Sequence, residues 1–316
     1  MSTEPMRSIG PALSVVIVIV SDTMEQRAQT GPLAECLEAL AQQVGAPEFE
    51  IICPCHGDTD GIDALSARFP AVRFVVVADP AIASRRVGSR EHHDVLRARG
   101  LELAQGALVA LLEDHARPDP HWCAASVDAH KAGVAAMGGA IENDIDAPLN
   151  WAVYFCDFSR YQNPVPSGDS AFASDANTVY KRTELDAVRP LWQQRFQEVI
   201  VNGALRAAGK RVALSPEMIV YQHRAGLRLN DALAERFVWG RSYAVTRSAQ
   251  LGRARRSIHA LLSPVLPLVL MLRMTAIAWK RRRLFGKFVR SAPLVALLVL
   301  SWSAGECAGY LGAPAA

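Results

Sequence analysis

The chain has 316 residues, of which 50% are hydrophobic and 21% are charged, and its formal net charge is +3. This length suits one large domain or two smaller ones with a proper core, and the hydrophobic fraction excludes a disordered chain. The small net charge, with no basic stretch interleaved with aromatic residues, argues against a nucleic-acid partner. The six cysteines show neither a C-x-x-C pair nor zinc-finger spacing, which indicates buried thiols in a reducing compartment rather than a zinc site.

The N-terminal third of the chain alternates predicted strands and helices. The run "LSVVIVIV" (13–20) is apolar without alternation, as in a strand that is buried on both faces. It is too short for a signal peptide and no small-x-small cleavage site follows it. Apolar residues at three- and four-residue steps then predict a helix over 33–44. The alternation continues with strands at 49–53, 72–78 and 107–112 and helices at 61–69 and 91–104, so we predict an α/β fold with a mostly parallel sheet flanked by helices.

The predicted elements after residue 112 are less regular. They are a helix over 120–132, a strand over 134–142, a Pro/Gly/Ser-rich loop over 162–175, a helix over 194–208 and two short strands within "RVALSPEMIVYQH" (211–223). We predict a catalytic domain over residues 1–235, followed over 236–316 by a basic linker and hydrophobic, membrane-associated helices.

The C-terminal segment has the composition of a membrane anchor. Basic residues are frequent from Arg236 to Arg290, and no acidic residue lies between Glu235 and Glu306, which favours an anionic membrane surface. Residues 258–279 would form a helix of about 33 Å, long enough to span a bilayer. Two prolines and an arginine interrupt this segment and both flanks are basic, so an in-plane or re-entrant helix pair competes with a span. Residues 292–312 form a second candidate, with a docked helix of the soluble domain as the alternative.

A polar turn ends the predicted strand over 107–112. Glu113, Asp114 and His115 follow it directly, and two neighbouring carboxyl groups at a buried strand end are costly unless a cation or hydrogen bonds compensate them. Glu113 and His115 are two residues apart and point the same way in an extended turn. An oxygen with an imidazole nitrogen suits Mn²⁺, and Mg²⁺ less well. A solvated acidic turn with a surface histidine is the alternative.

Four segments of the chain resemble glycosyltransferase family 2, which has the GT-A fold. They are "SVVIVIVSD", "LAECLEALAQQ", "EIIC" and "RGLELAQGALVALLEDHARPDPHW", and the resemblance covers roughly residues 13–225. In that family an acid-x-acid element after the fourth strand holds a metal on the diphosphate of a nucleotide sugar. Glu113 and His115 fall on its two positions, similar to the Asp-x-His variant of polypeptide N-acetylgalactosaminyltransferases. The resemblance is to a bacterial, membrane-associated member with this E-D-H variant.

The resemblance implies further site residues. His223 matches a later histidine that completes the metal site in those relatives, with a surface histidine as the alternative. Glu198, which follows Gln197 at the start of a late helix, matches the acid that acts as general base. The candidate contacts to the nucleotide sugar are Ser21, Asp22, Asp58, Arg97, Asp114 and Asn177. Arg97 alternatively belongs to a solvated helix face. "CPCHGDTDG" replaces the usual Asp-Asp-Gly-Ser, and Ala98 replaces an asparagine of the family pattern.

The resemblance implies an inverting glycosyltransferase with Mn²⁺ or Mg²⁺ and a nucleotide-diphosphate sugar. Its acceptor would be lipid-linked or a polysaccharide of the cell envelope, and its catalytic domain would face the cytoplasm at the inner membrane. Transfer to a polyprenyl phosphate and a non-catalytic GT-A-like assembly subunit are the alternatives. The sequence leaves the nucleotide, the acceptor and a homo-oligomeric state open.

Overall fold

The computed structural model describes residues 10–21, 30–57, 59–78, 90–248 and 251–312. The chain divides into two compact units. The first contains residues 1–142 and 163–223, and the second contains residues 143–162 and 224–316. The domain boundary predicted between residues 235 and 236 falls inside a helix of the second unit.

Nine strands form one sheet in the described part of the chain. They are β1 (Leu13–Val18), β2 (Phe49–Cys55), β3 (Val72–Val76), β4 (Leu108–Glu113), β5 (Ala116–Pro118), β6 (Ala136–Asn143), β7 (Gly168–Asp169), β8 (Asn177–Lys181) and β9 (Val212–Gln222). Their order is β3-β2-β1-β4-β8-β6-β9-β5, and β7 also pairs with β9.

Helices flank this sheet, so the predicted α/β fold is confirmed. In the first unit they are α1 (Thr30–Ala41), α2 (Ile62–Arg68), α3 (Arg90–Leu103), α4 (Trp122–His130), α6 (Arg182–Ala187) and α7 (Glu198–Ala207). Every residue of β1 is buried. Val15 and Ile17 belong to one apolar core and Val16 and Val18 to another, one on each face of the sheet.

The sheet is mixed, whereas the sequence predicts a mostly parallel one. Strands β3, β2, β1 and β4 are parallel, and β8 runs antiparallel to both β4 and β6. The two short strands predicted around Pro216 form one continuous strand, β9, which pairs with β7 at Ala213 and Leu214 and with β5 at Val220 to Gln222. Different partners along its length support one long strand, although the proline has no N–H to donate.

The second unit is helical. Its helices are α5 (Pro148–Phe158), α8 (Leu229–Ser248), α9 (Arg253–Leu262), α10 (Leu266–Arg281) and α11 (Phe285–Gly312). A short 3-10 turn over Ser263–Val265 joins α9 to α10. By length and composition, two segments of this unit would suffice to cross a membrane, Arg253–Arg281 and Phe285–Gly312. The predicted pair of apolar C-terminal helices is therefore confirmed.

Candidate functional site

The predicted polar turn lies where β1 and β4 end side by side. The two strands are parallel, and Val18 is opposite Glu113 in their register. The N–H of Asp114 donates to the carbonyl of Val18 at 3.1 Å, so the first strand holds the turn in place. In open α/β sheets, ligands bind outside the carboxyl ends of the strands. The turn therefore lies where a ligand site of this architecture is expected.

Asp114 is fully buried and has its partners inside the protein. Its carboxylate accepts hydrogen bonds from the N–H of Val20 at 3.0 Å and from the Ser21 hydroxyl. Burial opposes ionisation of Asp114, but hydrogen bonds from His115, Ser21 and Val20 outweigh it and lower the pKa of this carboxyl. The sequence predicts Asp114 and Ser21 as nucleotide contacts, whereas the structure joins their side chains to each other.

His115 lies between two carboxylates. Its Nδ1 is 3.3 Å from Oδ1 of Asp114, and its Nε2 is 3.4 Å from Oε2 of Glu113. A carboxylate on Nδ1 fixes the orientation of an imidazole and leaves the Nε2 lone pair available, as in many metal sites. Burial raises the pKa of Glu113, against the attraction of His115. The Glu113 carboxylate and Nε2 of His115 thus lie side by side at the turn.

This donor pair fits a metal that takes few ligands from protein. Among the described residues, no group of three or more His, Cys, Asp and Glu side chains is arranged to hold a metal ion. Mg²⁺ commonly uses one or two carboxylates, completed by water and substrate phosphates, and Mn²⁺ accepts both oxygen and imidazole ligands. Glu113 and His115 meet that requirement when a diphosphate supplies the remaining oxygens.

The backbone of His223 is hydrogen-bonded to this turn. Its N–H donates to the carbonyl of His115 at 2.8 Å, which places it beside the turn. Its Nε2, however, lies 3.6 Å from Oε2 of Glu35, and Arg117 contacts the same carboxylate at 2.7 Å. The predicted third metal ligand therefore has an acidic partner of its own, and its side chain does not form a metal-binding group with Glu113 and His115.

Arg97 is buried beside the turn, so the alternative of a solvated helix face is wrong. Its guanidinium lies 3.3 Å from Glu113, 3.1 Å from Asp175 and 3.9 Å from Asp94. Burial opposes its charge, but the acids that surround it outweigh burial and raise its pKa. Arg90, Asp94 and Arg97 share one face of α3 because they follow at four- and three-residue steps. That spacing is visible in the sequence.

Asp175 is a site residue that the sequence reasoning missed. It lies two residues before β8, whose first residue, Asn177, is opposite Leu112 of the antiparallel β4. The start of β8 consequently meets the end of β4, and Asp175 reaches Arg97. The one signal in the sequence is the polar segment "SDANTV", which predicts a contact at Asn177 rather than at Asp175.

The side chain of Asn177 forms hydrogen bonds inside the first unit. Its side chain is fully buried, donates to the carbonyls of Ala140 and Met218 at 2.9 Å each, and accepts a bond of 2.9 Å from the Trp122 indole. A Cβ on Gly139 would lie 2.2 Å from its amide nitrogen, so the surroundings are tight. The amide is therefore hydrogen-bonded within the protein through both its oxygen and its nitrogen. Two other predicted contacts, Asp22 and Asp58, lie outside the described residues.

Glu198 is the first residue of α7, as the sequence predicts for the candidate base. Burial and the nearby charge of Asp175 raise its pKa to about 7, although Arg90, 3.5 Å from Oε1, acts in the opposite direction. The residue before it, Gln197, donates to Asp94 of α3 at 3.1 Å. Asp94 of α3 thus contacts both Gln197, at the start of α7, and Arg97. A carboxyl group that is half ionised near neutral pH suits proton transfer.

Comparison with known proteins identifies the family. The model of glycosyl transferase family 2 matches residues 27–188, just over half of the chain. The chain belongs to glycosyltransferase family 2. Family membership and fold together support the conclusion that the protein is a glycosyltransferase.

A solved structure shares the fold. The mannosyltransferase PcManGT from Pyrobaculum calidifontis, in complex with GDP-Man and Mn²⁺, is 13% identical with a TM-score of 0.52, and the match covers 94% of this chain and 87% of that one. S. aureus TarS 1–349 is 12% identical with a TM-score of 0.48, covering 92% and 90%. No curated protein sequence matches the chain. The sheet and its flanking helices are thus of the GT-A type.

Proposed function

We propose that this protein is an inverting glycosyltransferase that moves a sugar from a nucleotide diphosphate to a hydroxyl group of its acceptor. One observation carries the proposal. Glu113, His115 and the buried Glu198 belong to one charged cluster at the strand ends. Arg97 contacts Glu113 and Asp175, and Arg90 contacts Glu198. A group for the diphosphate and a group for the acceptor proton are therefore brought together.

In this proposal Glu198 accepts the proton of the acceptor hydroxyl, whose oxygen attacks the anomeric carbon as the bond to the diphosphate breaks. Attack opposite the leaving group inverts the configuration of the sugar. Glu113 and His115 would hold Mn²⁺ or Mg²⁺, which supplies positive charge against the departing diphosphate. Asp114 keeps His115 oriented, and Arg97, fixed by Asp175, keeps the Glu113 carboxylate in place.

The acceptor proposed here is lipid-linked or a growing envelope polysaccharide, reached from the cytoplasmic face of the inner membrane. The apolar helices of the second unit support membrane association. A polyprenyl phosphate is the competing acceptor, and it is already an anion. The burial of Glu198 and its pKa of about 7 favour the hydroxyl acceptor, because a phosphate oxygen needs no base to remove its proton.

The test is the thermal stability of the purified full chain with UDP, GDP, dTDP or CDP, with and without Mn²⁺ or Mg²⁺. PcManGT was solved with GDP-Man and Mn²⁺, so GDP with Mn²⁺ is the first pair to measure. We expect one nucleotide to raise the melting temperature only when the metal is present, because a ligand of the folded state stabilises it.

Two variants complete this test. Glu113→Gln should abolish the metal-dependent stabilisation. Asp128→Asn, which removes an exposed acid paired with Lys131, should keep it. If none of the four nucleotides gives a metal-dependent shift, the proposed donor site is wrong.

A further inference from the structure

An apolar stripe lies on the outer surface of α9 and α10. We define it by six side chains that are each more than half exposed: Leu261, Leu262, Val265, Leu268, Leu272 and Trp279. They recur at steps that place them on one side of a helix. Isolated exposed leucines are ordinary on protein surfaces, but a continuous row of this length marks an interaction surface.

The opposite side of α9 and α10 packs against α11. The Ser263 carbonyl accepts a hydrogen bond from the Ser303 hydroxyl, and the Ala260 carbonyl lies 3.6 Å from the Cys307 thiol. Further along, Met274 and Ala278 are buried in the core that includes residues of α11. The stripe is consequently the side that this unit leaves exposed.

α11 occupies the centre of the helical unit. Near its start, the rings of Phe288 and Phe155 of α5 are 5.2 Å apart. Towards its end it lies so close to α8 that a Cβ on Gly305 would be 2.0 Å from the carbonyl of Phe237. This part of α8 carries the charged residues Glu235 and Arg236. A bilayer crossing by α11 would carry these charges into the hydrocarbon as well, which is unfavourable.

Both ends of the stripe carry positive charge. Arg253 and Arg255 precede it and Lys280 and Arg282 follow it, all of them exposed. A helix that crosses a bilayer keeps its strong positive charge on the cytoplasmic side alone. Basic residues at both ends instead suit a helix that lies along one anionic surface. Arg273, within the segment, has a side chain long enough to reach the headgroups.

We propose that α9 and α10 lie in the plane of one leaflet of an anionic bilayer. The stripe enters the acyl boundary, the flanking basic residues contact lipid phosphates, and α11 stays inside the protein without crossing. This proposal uses no residue of the candidate active site. The fate of either proposal therefore leaves the other standing.

Two glycines allow a direct test of topology. Gly252 and Gly286 lie at the two ends of the α9–α10 segment, both exposed, and a Cβ at either meets no atom within 4 Å. We would make Gly252→Cys and Gly286→Cys separately in the full chain. Each would be treated with a membrane-impermeant maleimide in spheroplasts and in inverted inner-membrane vesicles. Wild-type protein gives the background from native cysteines, and detergent-solubilised samples show that each new thiol can react.

In-plane binding places both thiols on the same side of the membrane, which is the cytoplasmic side in the orientation proposed above. Both variants should then be labelled in inverted vesicles and neither in spheroplasts. Labelling of one variant in each preparation would show that the segment crosses the bilayer and would overturn the proposal.

Vesicle binding tests the surface itself. Full-length protein should bind vesicles of equal parts phosphatidylglycerol and phosphatidylcholine at least about tenfold more tightly than phosphatidylcholine alone. Leu268→Glu should abolish this binding. Val44→Glu, at an exposed apolar site of the first unit, should preserve it. If the chain instead forms a dimer that Leu268→Glu dissociates, and binds no vesicle, a second copy covers the stripe and the lipid proposal is wrong.

Discussion

Charged residues are buried in both units, but they are matched differently. In the second unit Arg236, which is buried, and Arg224, which is partly buried, each have their own carboxylate. Arg236 contacts Asp157 through both terminal nitrogens, one of them at 2.5 Å, and Arg224 contacts Glu235 at 2.8 Å. Such one-to-one pairs leave no net charge to compensate, and they are typical of a structural role.

At the strand ends of the first unit, acids outnumber arginines. Asp94, Glu113, Asp175 and Glu198 face Arg90, Arg97 and Arg195. Burial then raises the pKa of three of these acids, and that of Glu198 reaches about 7. A cluster with excess negative charge is poised to take a cation or a proton. This contrast supports our proposal that the matched pairs stabilise the fold and that the cluster at the strand ends serves chemistry.

The largest effect is expected at Glu198. Glu198→Gln removes the carboxylate that, in our proposal, takes the proton from the acceptor hydroxyl. We therefore expect kcat to fall about 10²- to 10⁴-fold with little change in KM. Steady-state transfer assays measure this, with Glu184→Gln as the control, since Glu184 pairs with Lys210 away from the site. Full activity of Glu198→Gln would exclude it as the base and would favour a phosphate acceptor.

Breaking a matched pair should affect stability instead of catalysis. Arg236→Met leaves the Asp157 carboxylate without its partner, so the free energy of unfolding should fall by about 3–5 kcal/mol. Urea unfolding followed by circular dichroism measures the loss. The control is Arg228→Met, because Arg228 is exposed and its pair with Asp231 is screened by water. Equal losses in both variants would contradict the structural role of the buried pair.

At the strand ends, where acids are in excess, removing a carboxylate is expected to raise the free energy of unfolding instead of lowering it. The pKa of Glu198 is higher in the folded chain than its ordinary value of 4.5. The stability that comes from its neutral form is therefore complete below pH 4.5 and lost as the pH rises through about 7. Above pH 7 the free energy of unfolding of Glu198→Gln should then exceed that of wild type by about 1–3 kcal/mol.

The comparison with wild type at acid pH is the internal control for that measurement. Below pH 4.5 both side chains are neutral and the two proteins should be equally stable. A variant that is less stable than wild type at every pH would show that Glu198 supports the fold, contrary to our interpretation.

The sequence predicts the local features of the candidate site but not the contacts that are made across the sheet. β1, the end of β4 and the turn with Glu113 and His115 are local features, and runs of apolar residues ending in polar ones reveal them. Glu198 at the start of α7 is local as well. These features depend on neighbours along the chain, so composition and spacing are sufficient to find them.

Contacts between residues on different strands could not be predicted from the sequence. Asp175 joins the site because β8 runs antiparallel to β4, and no spacing in the sequence shows that pairing. Asn177 looks like a substrate contact, yet its amide binds the indole of Trp122, 55 positions away. The side chain of His223 likewise turns to Glu35. The sequence shows that these residues are polar and lie near the site, but not which side chains of the protein they contact.

The smallest expected effect is a pH shift that probes the cluster charge by charge. The proposed base acts in its ionised form, so kcat/KM should rise with pH through about 7. Asp175 raises the pKa of Glu198 and Arg90 lowers it. Asp175→Asn should therefore move the rising limb towards acid and Arg90→Gln should move it towards alkali, each by about one pH unit or less. Rate profiles of the two variants beside wild type give the directions. Shifts in the same direction would mean that the limb reports another group, and Glu198 would then lose its place as the base.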